Sequence, residues 1–212
     1  MILEIDSEIK NRFPDLTALF INIDNVRVQK QDIELENYKD EVIKKVKQEY
    51  NLNSVKNHPT FRAYRSFFWK IGIDPTKIRP AAEALTRRIL AGKKIPNINT
   101  LVDVYNLVSI SSGIALATFD TEKIVGKIFM RFSDQEEKIL GIGMEKPFIM
   151  TGKEIVISDQ EKLIAIYPYR DSDTTKVTKE TRNVTIVVCG VPGIKKETLE
   201  KASILTRKLI NK

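Results

Sequence analysis

Near Ile114 the spacing of apolar residues changes period, and this constrains the fold more than any other feature of the chain. Upstream, apolar residues recur at helical intervals, as in Phe61, Tyr64, Phe68 and Ile71, or Ala82, Leu85 and Ile89. Downstream, the runs IALATFD, KIFMRF, EIVISD, KLIAIYPY and NVTIVVCG are too short for helices, rich in β-branched residues, and separated by turn residues. An amphipathic segment from Lys195 to Ile210, with Leu199, Ala202, Leu205 and Leu209 on one side, closes the chain. Helices gathered ahead of strands predict an α+β fold, helices layered against a strand-rich half, rather than alternating βαβ units.

The spacing predicts strands within residues 1 to 35, with Asp15 capping a short turn, and a helix from Glu36 to Tyr50. A helix follows over 61–71, stopped by Gly72 and Pro75; the next opens at Pro80 and ends near Gly92. A third runs from Thr100 to about Ser112. In it Thr100 and Asp103 have capping-box spacing, which accounts for the acid. Asn106, one turn further in beside Tyr105, is a poor helix former that needs partners and is the better pocket candidate. No linker divides the chain. The expectation is one domain over 1–212, with 1–55 as an N-terminal extension packed on it.

Charge narrows the function. The net charge is +7. Between Lys56 and Lys94 ten basic residues face only Asp74 and Glu83, so this segment carries +8 and the remainder about −1. A local positive field of this kind suits a polyanion, most commonly a nucleic acid. Arg62, Arg65, Arg79, Arg87, Arg88, Lys93 and Lys94 are the candidate phosphate contacts. A solvated helix surface is the plainer alternative.

Several chemistries find no support. His58 is the sole histidine, so neither a zinc cluster nor a Ser-His dyad is expected, and the Asp171–Asp173 turn is a poor magnesium site. Cys189 sits in an apolar run and reads as a core thiol. No glycine-rich phosphate cradle occurs, and no cofactor is expected. No apolar run is long enough to span a bilayer. The opening MILEIDSEIK has acids where a secretory signal is positive, and a single cysteine permits no internal disulfide; both point to the cytoplasm. The segment from Tyr169 to Thr181 is a polar loop whose hydroxyls would orient a ribose or water, unless it simply solvates a strand connection.

Taken in order, FRAYRSF, IDPTKIRPAAEALTRRIL, LVDVYNLVSISSGIALATFDTEKIVGKIFMRF, GKEIVISD and YPYRDSDTTKVT resemble the editing, tRNA-binding module of the phenylalanyl-tRNA synthetase beta subunit (the B-three/B-four module), and its free-standing relatives in particular. The likeness spans about residues 60 to 190. It implies a tRNA partner, with a synthetase as a second partner and no DNA, and hydrolysis in trans of the ester joining a wrong amino acid to tRNA. Asp103 and Asn106 match the family's V-D-V-T-N helix, but Tyr105 replaces its threonine. Ala117 stands where the family's pocket histidine lies, and Glu145 near its tyrosine-recognising glutamate. These departures imply a reshaped pocket.

The resemblance makes Asn106 and Glu154 the catalytic candidates, Asn106 holding the substrate amine or water and Glu154 or Glu145 accepting the ammonium group. Tyr105, Ala117, Glu145, Arg170, Asp171, Ser172 and Thr175 would bind substrate. An activated ester needs only a placed water and a stabilised oxyanion. The rival readings are a non-catalytic RNA-binding or synthetase-associated module, and a binding protein for an amino acid or nucleoside-like metabolite.

Overall fold

A computed structural model describes residues 3–210. Strand β1 (Leu3–Ile5) is followed by helix α1 (Ser7–Arg12) and strand β2 (Ala18–Ile23). Helices α2 (Ile33–Glu49), α3 (Pro59–Lys70), α4 (Ala81–Leu90) and α5 (Thr100–Ser112) come next. The strands β3 (Ala115–Asp120), β4 (Ile128–Phe132), β5 (Gln135–Ile139), β6 (Phe148–Thr151), β7 (Ile155–Ser158), β8 (Leu163–Tyr167), β9 (Arg170–Asp171) and β10 (Val184–Cys189) precede the closing helix α6 (Lys196–Ile210). The fold is α+β. Among the described residues no helix is long and apolar enough to cross a membrane.

Three sheets form, in the orders β1-β4-β7-β8-β9, β2-β10-β3 and β5-β6. All six residues of β10 are buried, as its largely apolar sequence requires: β2 and β3 flank it, with Val187 opposite both Phe20 and Ala117. Helix α6 covers β2 and β10, while α5 lies against α6, α4, α2 and β3. Residues 3–55 contribute a strand to each of the two larger sheets. β1 joins β4 in parallel, and β2 forms one edge of the three-stranded sheet.

The structure departs from the sequence-based expectations at three points. The early segment contains an unexpected helix, α1, capped by Asp6, whose Oδ1 accepts the Glu8 N–H at 2.7 Å; Asp15 lies in a turn after that helix. The β5–β6 hairpin was not expected, because Gln135-Glu-Glu-Lys is polar and largely solvent-facing, with Glu136 at φ 64° breaking the register. Helix α5 is capped by Asn99, whose Oδ1 accepts the Val102 N–H at 2.9 Å, not by Thr100. The Thr100 hydroxyl instead accepts the Gln29 N–H at 3.0 Å, and Asp103 accepts that of Ile98 at 3.2 Å. Thr100 already has helical geometry, so the capping position falls one residue earlier.

Candidate functional site

Where β3, β8, β9 and the end of β10 meet α5, a cavity of about 170 Å³ opens. Small side chains make the room: Ala115 and Ala117 on β3 and Ala165 on β8, with Ile157 and Ile142 closing the apolar wall. Tyr105 enters from α5, and Arg170 and Asp171 from β9. Two buried tyrosines brace the frame. Tyr64 donates to the Cys189 carbonyl and accepts the Ala115 N–H at 3.0 Å, and Tyr167 donates to the Gly190 carbonyl.

Asp171 is the carboxyl group among the residues lining this cavity, and burial alters its chemistry strongly. Its Oδ2 accepts the Thr118 N–H at 3.1 Å. Burial pushes its carboxyl up to about 7, against the opposing pull of that N–H and of Arg170. It thus sits near the protonation midpoint at neutral pH. Burial also raises Tyr105, with Asp171 and Asp103 adding to the effect, so its phenol keeps its proton and can donate. Arg170 donates from Nη1 to the Ile142 carbonyl at 3.1 Å and lies 5.1 Å from the Tyr169 ring centroid. Its Nε is buried without a hydrogen-bond partner. Gly141 permits this path, since a Cβ there would meet Arg170 Cγ at 2.4 Å. Cys189 lines the cavity too, but burial and Asp171 hold its thiol protonated, unsuited to attack.

Of the residues singled out by sequence, Tyr105, Ala117, Arg170 and Asp171 come together here. The others do not line the cavity. Asn106 is half-buried on α5 and makes no side-chain hydrogen bond among the described residues. Glu145 is exposed in the turn before β6. Glu154 is buried and fully engaged: it accepts from Thr151 N at 2.8 Å, Thr151 Oγ1 at 2.9 Å, Ser133 Oγ at 3.2 Å and Lys153 N at 3.2 Å. It holds the β6–β7 turn together. Ser172 is bonded to Thr174, and Thr175 is buried with its hydroxyl unpartnered. Ala115, Ile157 and Ala165 were not foreseen, because small or branched residues in a strand carry no signal that distinguishes a cavity wall from a core.

The basic residues divide likewise. Arg62, Arg79, Arg88, Lys93 and Lys94 are exposed. Arg65 and Arg87 instead clamp Glu83, which is wholly buried, at 3.2 and 2.8 Å. Arg87 also donates to the Leu52 carbonyl and Arg65 to that of Pro75. Arg79 stands two residues before Ala81, which lines the cavity.

A larger groove, about 730 Å³, lies between α2, α5 and the end of α6. Its lining sets Arg27 and Lys208 against Asp32 and Glu41, and none of the candidate catalytic, substrate-binding or RNA-binding residues belongs to it.

The family model of the B3/4 domain matches residues 63–206, well over half of the chain. The chain belongs to that family. The match takes in α5, β3, β8 and β9, and hence the whole lining of the 170 Å³ cavity. The chain is 31% identical over 117 residues to a phenylalanine–tRNA ligase beta subunit of Fusobacterium nucleatum, covering 55% of this chain and 14% of that one. It is 35% identical over 88 residues to that of Psychrobacter arcticus, covering 42% and 11%. This B3/4 chain therefore corresponds to a small part of those relatives. Among solved structures, an N-terminal fragment of the phenylalanyl-tRNA synthetase beta subunit from Pyrococcus horikoshii superposes with a TM-score of 0.55 at 13% identity, over 99% of this chain and 48% of that one. This last likeness bears on the fold.

Proposed function

We propose that this B3/4 chain binds tRNA and hydrolyses the ester of mischarged aminoacyl-tRNA in trans. Its similarity to phenylalanine–tRNA ligase beta subunits supports tRNA as the partner. The observation that carries the hydrolysis is Asp171, a carboxyl pushed up to about 7 in a small cavity beside a protonated Tyr105.

In this reading the amino-acid moiety enters the cavity, and the terminal phosphates stay outside near Arg79. Ionised Asp171 takes a proton from water as the water oxygen attacks the carbonyl carbon. The Tyr105 hydroxyl donates to the oxygen on which negative charge develops. The ester C–O bond then breaks, and the ribose oxygen leaves with the proton that Asp171 returns. Tyr105 and Ala117 stand where the resembling modules have threonine and histidine, so the amino acid removed would differ from tyrosine. Asn106 and Glu145 would contribute from outside the cavity, and Glu154 through the β6–β7 turn.

The test is a panel of mischarged tRNAs incubated with the chain. Loss of ester above the uncatalysed rate with at least one of them is expected. No loss with any overturns the hydrolytic reading. The apolar Ala117 favours one rival, a module that binds tRNA without reaction: salt-sensitive tRNA affinity with no ester loss would select it.

A further inference from the structure

The four aromatic residues on the buried face of α3, Phe61, Tyr64, Phe67 and Phe68, supply its core packing. Trp69 does not join them: it is 57% exposed near the end of the helix. A ring of that size left in water is a poor contribution to folding and a common one to recognition.

Its surroundings are cationic. Arg12 reaches the end of α3, its Nη2 donating to the Lys70 carbonyl at 3.4 Å. On the other side, Lys153 abuts the same turn, its Cβ 3.4 Å from where a Cβ on Gly72 would lie. Arg62 lies two helical turns before Trp69, hence on nearly the same face. Arg12, Lys70, Lys153 and Arg62 take part in no ion pair among the described residues. Asp74, the acid that follows in sequence, is turned to the Thr76 amide and hydroxyl at 2.8 and 2.6 Å.

We propose that Trp69 is a stacking platform for an unpaired nucleotide of RNA, with Arg12, Lys70, Lys153 and Arg62 holding the flanking phosphates. The Arg12 guanidinium lies 5.2 Å from the Phe132 ring centroid, which holds it by the end of α3 without cancelling its charge. An exposed ring beside cations that have no ion-pair partner offers a face to a base and charge to its backbone, the pairing that single-stranded nucleic acid requires. This rests on the tRNA reading above and adds the contact: an unpaired stretch of the tRNA seated on Trp69, which is not among the residues lining the cavity. An anionic membrane surface would match the charge but not the need for a single flat ring.

Trp69 is the sole tryptophan, so its emission reports on this face directly. The full chain is titrated with tRNA, with a short single-stranded RNA and with vesicles containing phosphatidylserine, alongside a gel-shift measurement of tRNA affinity. Both RNAs should quench the emission, tRNA over the same concentrations as the gel shift. Trp69→Ala should weaken tRNA binding about tenfold. Trp69→Phe should recover much of that loss, and Lys153→Glu, which leaves the ring in place, should weaken binding as well. Tight tRNA binding with unchanged emission and full affinity in Trp69→Ala overturns the platform while leaving the tRNA reading intact. No binding of tRNA at all overturns both, and a response to vesicles alone reassigns the face to a membrane.

Discussion

The Asp171 side chain accepts the Thr118 backbone N–H at 3.1 Å, tying β9 of one sheet to β3 of the other across the cavity. The link holds the carboxylate in place without neutralising it, since a backbone N–H carries no full charge. The remaining burial leaves the carboxyl near 7.

Asp171→Asn should lower ester hydrolysis at least a hundredfold, the usual contribution of a positioned proton acceptor. In the unaltered chain, hydrolysis should rise with pH through about 7 as Asp171 ionises. A flat pH–rate profile, or an active Asp171→Asn variant, removes Asp171 from the reaction.

The same group makes stability depend on pH. An unfolded aspartate titrates near about 3.9. From there up to about 7 the folded chain retains a proton that the unfolded chain has released, so this group's contribution to stability falls as pH rises through that window. Asp171→Asn lacks this loss. It should melt above the unaltered chain at pH 8 and close to it at pH 4; an equal difference at both values would contradict the assignment.

Arg79 and Arg87 should separate binding from stability. Arg79 is exposed, and Arg79→Ala should reduce the slope of log affinity for tRNA against log salt by about 1. Arg87 holds the buried Glu83 at 2.8 Å and the Leu52 carbonyl. Glu83→Gln should destabilise by about 3 kcal/mol, the low end for broken buried pairs, because both guanidiniums keep some contact with water. Arg87→Ala should lower the melting temperature and leave the salt slope unchanged. The opposite pattern would exchange the two roles.

Capping of α5 gives a local test. Asn99→Ala should cost about 1 kcal/mol through loss of the bond to the Val102 N–H. Thr100→Ala should cost less, since it removes a hydroxyl that serves an exposed loop amide. Equal losses in denaturant titrations would mean that Thr100 shares the cap.

Tyr64→Phe removes one hydroxyl that serves two buried backbone groups, the Cys189 carbonyl and the Ala115 N–H. The expected loss is about 1–3 kcal/mol, with amide exchange quickening at Ala115. Undiminished protection there would show that another group replaces the phenol.

Much was settled by the sequence alone, because apolar period is a local property. It placed α3, α4, α5 and α6 and the strands β3, β4, β7, β8 and β10 to within a few residues, and it located the positive charge. It missed α1 and the polar β5–β6 hairpin, where the apolar signal is weak and a cap or a turn decides. Only the tertiary structure decided which residues share a site. Tyr105 and Asp171 are 66 positions apart and meet because β9 turns back beside β8, facing β3. It also decided which arginines are spent within the fold, since Glu83 draws Arg65 and Arg87 to itself and leaves Arg79 to solvent. Charge can be counted along a chain, but its partners are fixed only by distance in three dimensions, and that distance turned part of a uniform basic segment into structure and left the rest free for a polyanion.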